Sequence, residues 1–182
     1  MNILSEENLR NDSIKDVAAK MMLAARTAPK ARGRDNLAIA ITEDQETIKS
    51  IANTMRDLAT EQTTPSIQTA FLRDADNILK AEVLFIIGTK LIPLGMDCGL
   101  CGLATCQEKS KYPKQPCVFN TGDLGVALGS AVSVAMDHRV DNRVMFTVGM
   151  AVRKLGLLGR DVEICYGVPL SASGKNVFFD RK

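Results

Sequence analysis

The chain has 182 residues, with 23 Lys and Arg against 21 Asp and Glu, one His and a formal net charge of +2. Hydrophobic residues make up 46% and aromatic residues 4%, with no Trp, so a core of ordinary size rests on Ile, Leu, Val, Ala and Met. This composition argues against disorder, and so small a charge with so few stacking rings argues against nucleic acid as a partner. The N-terminus MNILSEENLRND has no basic segment followed by an apolar one, and the most apolar stretch, 83–96, is interrupted by Lys90 and Pro93. The expectation is a cytoplasmic protein with no membrane partner and with reduced thiols.

In chain order, Ile14, Val17, Ala18, Met21, Met22 and Ala25 recur at helical spacing and predict a helix over 13–26. Ser13 would be its N-cap, and Pro29 would end it near Thr27 by biasing Ala28 away from helical backbone. A basic loop follows, with Arg26, Lys30, Arg32 and Arg34 close together. LAIAIT at 37–42 reads as a short buried strand. Ile48, Ile51, Met55 and Leu58 predict a helix over 44–60, and Pro65 opens another that runs to about Lys80. EVLFIIG at 82–88 is the clearest strand, and a cysteine-rich loop comes after it. Beyond that loop a helix is expected from near Asp123, rich in Gly and Ala. A second is expected over 141–156, with Gly156 near its end. A strand over 161–169 follows, and the tail at 172–182 has room for one more short strand. No repeat or linker is visible, so the reading is one domain over 1–182, and alternating strands and helices give an α/β or α+β class.

Four of the five cysteines fall in the loop CGLCGLATCQEKSKYPKQPC, at Cys98, Cys101, Cys106 and Cys117, spaced C-x2-C-x4-C-x10-C. An iron–sulfur cluster needs four thiolates around one small body. Gly99 and Gly102 let the chain wrap such a body, because Gly adopts positive φ freely, and Pro116 stiffens the approach to Cys117. Structural zinc also takes four Cys, but usually from two short knuckles, and C-x10-C is not one. The spacing favours a cluster, with zinc or free thiols as the alternatives. Cys165 lies in a strand-like apolar run and reads as a small core residue.

CGLCGLATC followed by a distant Cys resembles the small four-cysteine Fe–S domain C-G-x-C-G-x-x-x-C…C. The whole chain resembles the family of uncharacterised ferredoxin domain-containing proteins. The stretches that carry the likeness are AARTAPKARGRDNL, FLRDADNILKAEVLFIIG, DLGVALGSAVSVAMDHRVDNRVMFTVGMAVRKLGLL and GVPLSASGKNVFFDRK. AARTAPKARGRDN is also similar to the A-x-x-A-P-S-x-x-N-x-Q-P segment of nitroreductase-like flavoproteins. Lys30 stands where that family has Ser, no Q-P follows Asn36, and the N-terminus lacks the family's R-R-S-x-R clamp. These resemblances imply an α+β, nitroreductase-like three-layer sandwich with a cysteine loop inserted at 95–120. They also imply a 4Fe–4S cluster as the favoured cofactor, FMN as a second one near Arg26, Pro29, Lys30 and Asn36, and a homodimer. The residues name no electron donor or acceptor and no catalytic group.

Other motifs have ordinary readings beside the functional ones. The basic loop is either a phosphate cradle or a solvated charge run. GVPLSASGKN is not a Walker A loop, since six residues separate Gly167 from Gly174 and Asn176 replaces Ser or Thr. With Lys175 it remains a candidate anion loop. Gly125 and Gly129 form G-x-x-x-G, a close-packing signal between helices. His138, the single histidine, sits where a helix-end residue belongs, with a proton relay to Asp137 or Asp141 as the alternative.

Overall fold

The computed structural model describes residues 3–179. Among them, four strands form one antiparallel sheet in the order β1-β2-β4-β3. β1 is Leu37–Thr42, β2 Val83–Lys90, β3 Asp141–Asn142 and β4 Val162–Ser171. The helices are α1 (Glu6–Thr27), α2 (Gln45–Thr60), α3 (Pro65–Ile78), α4 (Cys106–Ser110), α5 (Val118–Asp137) and α6 (Phe146–Leu155).

β2 is buried along almost its whole length, and its two faces feed two different cores. Phe85 and Ile87 pack with α1 and α5, together with Val168 and Leu170 of β4. Leu84 and Ile86 pack with α2, α3 and α6. This is period-two alternation in a strand covered on both sides, which is why it reads as an unbroken apolar run. A register shift between Thr89 and Lys90 carries Val162 to the α2/α3/α6 side, as one extra residue must. Helix, sheet and helix make three layers, as the nitroreductase-like expectation required.

Strand β1 and the start of α2, capped by the Asp44 carboxylate on the Thr47 N–H, lie where the sequence placed them. Gly156 caps α6 at φ 68°. Three boundaries differ. The first helix begins at Glu6 with Ser5 at its N-cap, and Ser13 sits inside it, donating its hydroxyl to the Leu9 carbonyl at 2.9 Å. The added turns are solvent-facing, so they carry no apolar periodicity to read. α5 starts at Val118 rather than near Asp123, because Asn120 is buried and donates its amide to the Ile92 carbonyl at 3.1 Å. The helix expected over 141–156 is shorter, because Asp141 and Asn142 pair with β4. Residues 172–179 form no strand, and residues 180–182 of that expected strand lie outside the described residues.

α6 crosses β4 at backbone contact. A Cβ on Gly149 would stand 1.7 Å from the Cys165 carbonyl oxygen, and one on Gly167 would stand 2.2 Å from the Val148 side chain. No rotamer relieves a clash with backbone, so Gly149→Ala must push helix and strand apart. We expect a loss of about 3 kcal/mol or more, at or beyond the upper end of ordinary overpacking, read as a lower urea midpoint.

Candidate metal centre

The cysteine loop leaves the end of β2 and returns as α5, so its two ends are fixed by the sheet and by a long layer helix. Side chains tie it down on the way. The Arg32 guanidinium donates to the Leu94 carbonyl at 2.8 Å, the Asp97 carboxylate accepts the Cys106 N–H at 2.6 Å, and the Gln115 amide donates to the Cys101 carbonyl at 3.0 Å. Thr105 caps α4 by accepting the Glu108 N–H at 3.1 Å, while the Glu108 carboxylate reaches the Ala104 N–H, a variant of the capping box. Gly99 at φ 72° and Gly102 at φ 84° lie in the left-handed region, each directly after a cysteine. The chain reverses there, with Gly102 N–H bonded to the Gly99 carbonyl at 2.9 Å, a turn that any other residue would strain.

The result is that Cys98, Cys101, Cys106 and Cys117 all line one small hollow, together with Pro93, Leu103 and Val118. Cys98 is exposed, Cys101 and Cys106 are half-buried and Cys117 is buried. Cys117 is also the residue at the N-cap of the 20-residue α5, where the helix dipole favours negative charge. Among the described residues, no three His, Cys, Asp or Glu side chains converge as a single-ion site. An all-sulfur donor set lining one hollow fits a thiolate-bound metal centre. Lys109 lines the same hollow and is only 2% exposed, although its surroundings in the sequence, EKSKYPK, read as solvated. The one sequence signal for its position is its i,i+3 spacing from Cys106.

The residues matched to a flavin site are placed differently. Arg26 donates to the Asp35 carboxylate at 2.6 Å and to the Leu37 carbonyl at 3.3 Å. Lys30, beside Pro29, donates to the carbonyls of Ala25, Arg26 and Ala28 at 2.7 to 3.0 Å, closing the end of α1. Asn36 keeps a buried side-chain nitrogen with no partner among the described residues. Lys175 follows Ser171 and precedes Phe178, whose carbonyl accepts the Asn77 amide. Leu37 pairs with Thr89 at one end of β2, and Leu170 pairs with Val83 at the other. The start of β1 at Leu37 and the end of β4 near Leu170 therefore lie about 20 Å apart along the sheet. With Arg26 and Lys30 engaged internally, these residues do not form a phosphate site within one chain. His138 Nε2 lies 3.2 Å from the Lys20 ammonium and its Nδ1 lies 2.9 Å from the Val134 carbonyl, both on an exposed surface.

Cys165 stands apart from the four, in the core against α6. Burial pushes its thiol up to about 11 from 9.0, so it stays protonated where a ligand thiol must ionise.

A three-layer α+β sandwich whose interior strand leads into a four-cysteine loop has the nitroreductase fold. Among solved structures, a nitroreductase with bound FMN from Desulfitobacterium hafniense DCB-2 superposes with a TM-score of 0.62 at 12% identity, over 96% of this chain and 81% of that one. A BluB-like flavoprotein from Clostridium difficile 630 gives 0.59 at 17% identity, over 97% and 88%. The family model described as "Uncharacterized protein containing a ferredoxin domain" matches residues 114–181. A protein of Archaeoglobus fulgidus is 36% identical over 187 residues, covering 98% of this chain and 97% of its own. The chain belongs to that ferredoxin-domain family.

Because the folded Cys165 thiol ionises later than the unfolded one, its contribution to stability is full below pH 9 and is lost as pH rises toward about 11. Cys165→Ser should therefore lose less stability than the parent across that window, measured by denaturant midpoints at each pH.

Proposed function

We propose that this protein transfers electrons through one iron–sulfur cluster, 4Fe–4S favoured, held by Cys98, Cys101, Cys106 and Cys117. The observation that carries this reading is the gathering of all four thiols around one hollow, with Cys165 excluded from it. When bound, the cluster supplies one-electron chemistry. The chain supplies the rest. Gly99 and Gly102 turn the backbone around the site, and Pro93, Leu103 and Val118 add apolar surface to it. The end of α5 at Cys117 supports negative charge on sulfur. A reducing compartment such as the cytoplasm keeps these thiols available.

A structural zinc in the same loop is the competing reading, and it makes the chain a binding module. A flavin has one observation in its favour, the unpartnered buried nitrogen of Asn36, and the internal engagement of Arg26 and Lys30 against it. A site completed by a second copy of the chain would answer that objection. The exposed face of α5 fits such a copy: Val118, Gly122, Gly125, Gly129 and Met136 lie at helical spacing, and a Cβ on any of the three glycines would meet nothing within 4 Å. Small residues on an open helix face let a symmetry-related helix approach closely.

Two measurements test this reading. Anaerobically purified protein should be brown and contain iron, and Ser at position 98, 101, 106 or 117 should bleach it, while Cys165→Ser keeps full iron content. Stoichiometric zinc without iron would sink the cluster, and a flavin spectrum would add the second cofactor. For assembly, the parent should sediment as a dimer at micromolar concentration. Gly129→Leu, which has room in the single chain and raises helix propensity, should sediment as a monomer.

A further inference from the structure

Lys109 is the largest charged side chain in the interior. It is 2% exposed, lines the hollow with all four cysteines, and sits one helical turn after Cys106 on α4. Its backbone is satisfied, donating to the Thr105 carbonyl at 3.0 Å and accepting from Tyr112 N–H at 2.9 Å. Its ammonium has no hydrogen bond or ion pair among the described residues. The other charged residue on the hollow, Asp97, spends its carboxylate on the Cys106 N–H. A charge drawn this far out of water is costly unless an opposite charge meets it, and four thiols share the hollow with Lys109.

The anion follows from the donor set. Four thiolates around a cubane core of two positive charges leave about two negative charges, and one-electron reduction leaves about three. A single zinc ion with four thiolates likewise leaves about two. We propose that the Lys109 ammonium is the internal counter-charge of this metal centre and raises its reduction potential. Lys109 is thus a positioning and tuning residue rather than a ligand. The proposal rests on the cysteine loop holding a metal centre, as argued above. A positive charge fixed in a low-dielectric pocket interacts more strongly with the reduced state than with the oxidised one, because the reduced state carries more negative charge. Its removal should therefore make the electron harder to add. Exposed lysines of the same segment, such as Lys111, act through water and are screened.

The test is an anaerobic redox titration of iron-loaded parent, Lys109→Met, Lys109→Gln and Lys111→Met, with dithionite as the electron source and mediators to equilibrate. Met keeps the length of the side chain without the charge, and Gln keeps a hydrogen-bond donor without the charge. At a fixed potential, both Lys109 variants should show a reduced-to-oxidised ratio at least tenfold below the parent. That is a downward shift of about 59 mV for a one-electron couple. Lys111→Met should stay close to the parent. Unchanged ratios in both Lys109 variants at full iron content would overturn the proposal. So would an equal shift from Lys111→Met, and so would a shift in the Met variant alone, which would assign the effect to a hydrogen bond. If the Met variant fails to fold by circular dichroism, the Gln variant is compared with Lys111→Met on the same criterion. If the parent holds zinc and no iron, the cluster reading fails by itself. The counter-charge is then judged by zinc affinity: a tenfold loss in Lys109→Met relative to Lys111→Met upholds it, and equal affinities overturn it.

Discussion

Burial of β2 on both faces is the constraint from which the rest of this structure follows. A strand with Phe85 and Ile87 on one side and Leu84 and Ile86 on the other is worth about 1.5–3 kcal/mol per large side chain only if both faces are covered. That requirement brings α1 and α5 to one side and α2, α3 and α6 to the other. It also fixes where β2 stops. The chain emerges at Lys90 beside the beginning of β1 and re-enters the layers through α5. The cysteine loop occupies that return path, so its ends cannot drift.

The loop itself has little apolar material to hold it, and its order comes from polar ties instead. Arg32 reaches it from the basic loop, Asn120 from α5, and Asp97 and Gln115 from within. The basic loop thus serves as an anchor for the cysteine loop. Arg26 and Lys30 do comparable structural work where α1 ends, since four carbonyls at a helix C-terminus need donors and Lys30 supplies three bonds to that end of the chain. Asp123 of α5 completes the arrangement by accepting the Ala31 N–H. A charge run that reads as a phosphate site in sequence is here spent on holding elements together.

The likeness to FMN-bound nitroreductases is a likeness of layers and order, at identities too low to carry residues across. The layers are preserved because they solve the burial of one antiparallel sheet, and a four-cysteine loop has been placed at the end of its central strand. The two redox readings therefore sit on different parts of the molecule, the cluster within one chain and any flavin at a face that a single chain leaves open.

The sequence by itself determined the elements whose signal is local. β1 at Leu37–Thr42 follows from a short apolar run, α2 from Ile48, Ile51, Met55 and Leu58 at helical spacing, and the left-handed end of α6 from Gly156. The four thiols at 98, 101, 106 and 117 and the core character of Cys165 were legible in the same way, because spacing and neighbours carry that information. Only the tertiary structure decided what depends on distant partners. The early start of α5 needs Asn120 to meet Ile92, and the strand at Asp141 needs Ser171 beside it. Lys109 is the sharpest case. Its neighbours are polar, and beyond its spacing from Cys106 nothing local marks it as buried; the ties of the loop turn α4 inward and bring its side chain to the hollow that the cysteines line.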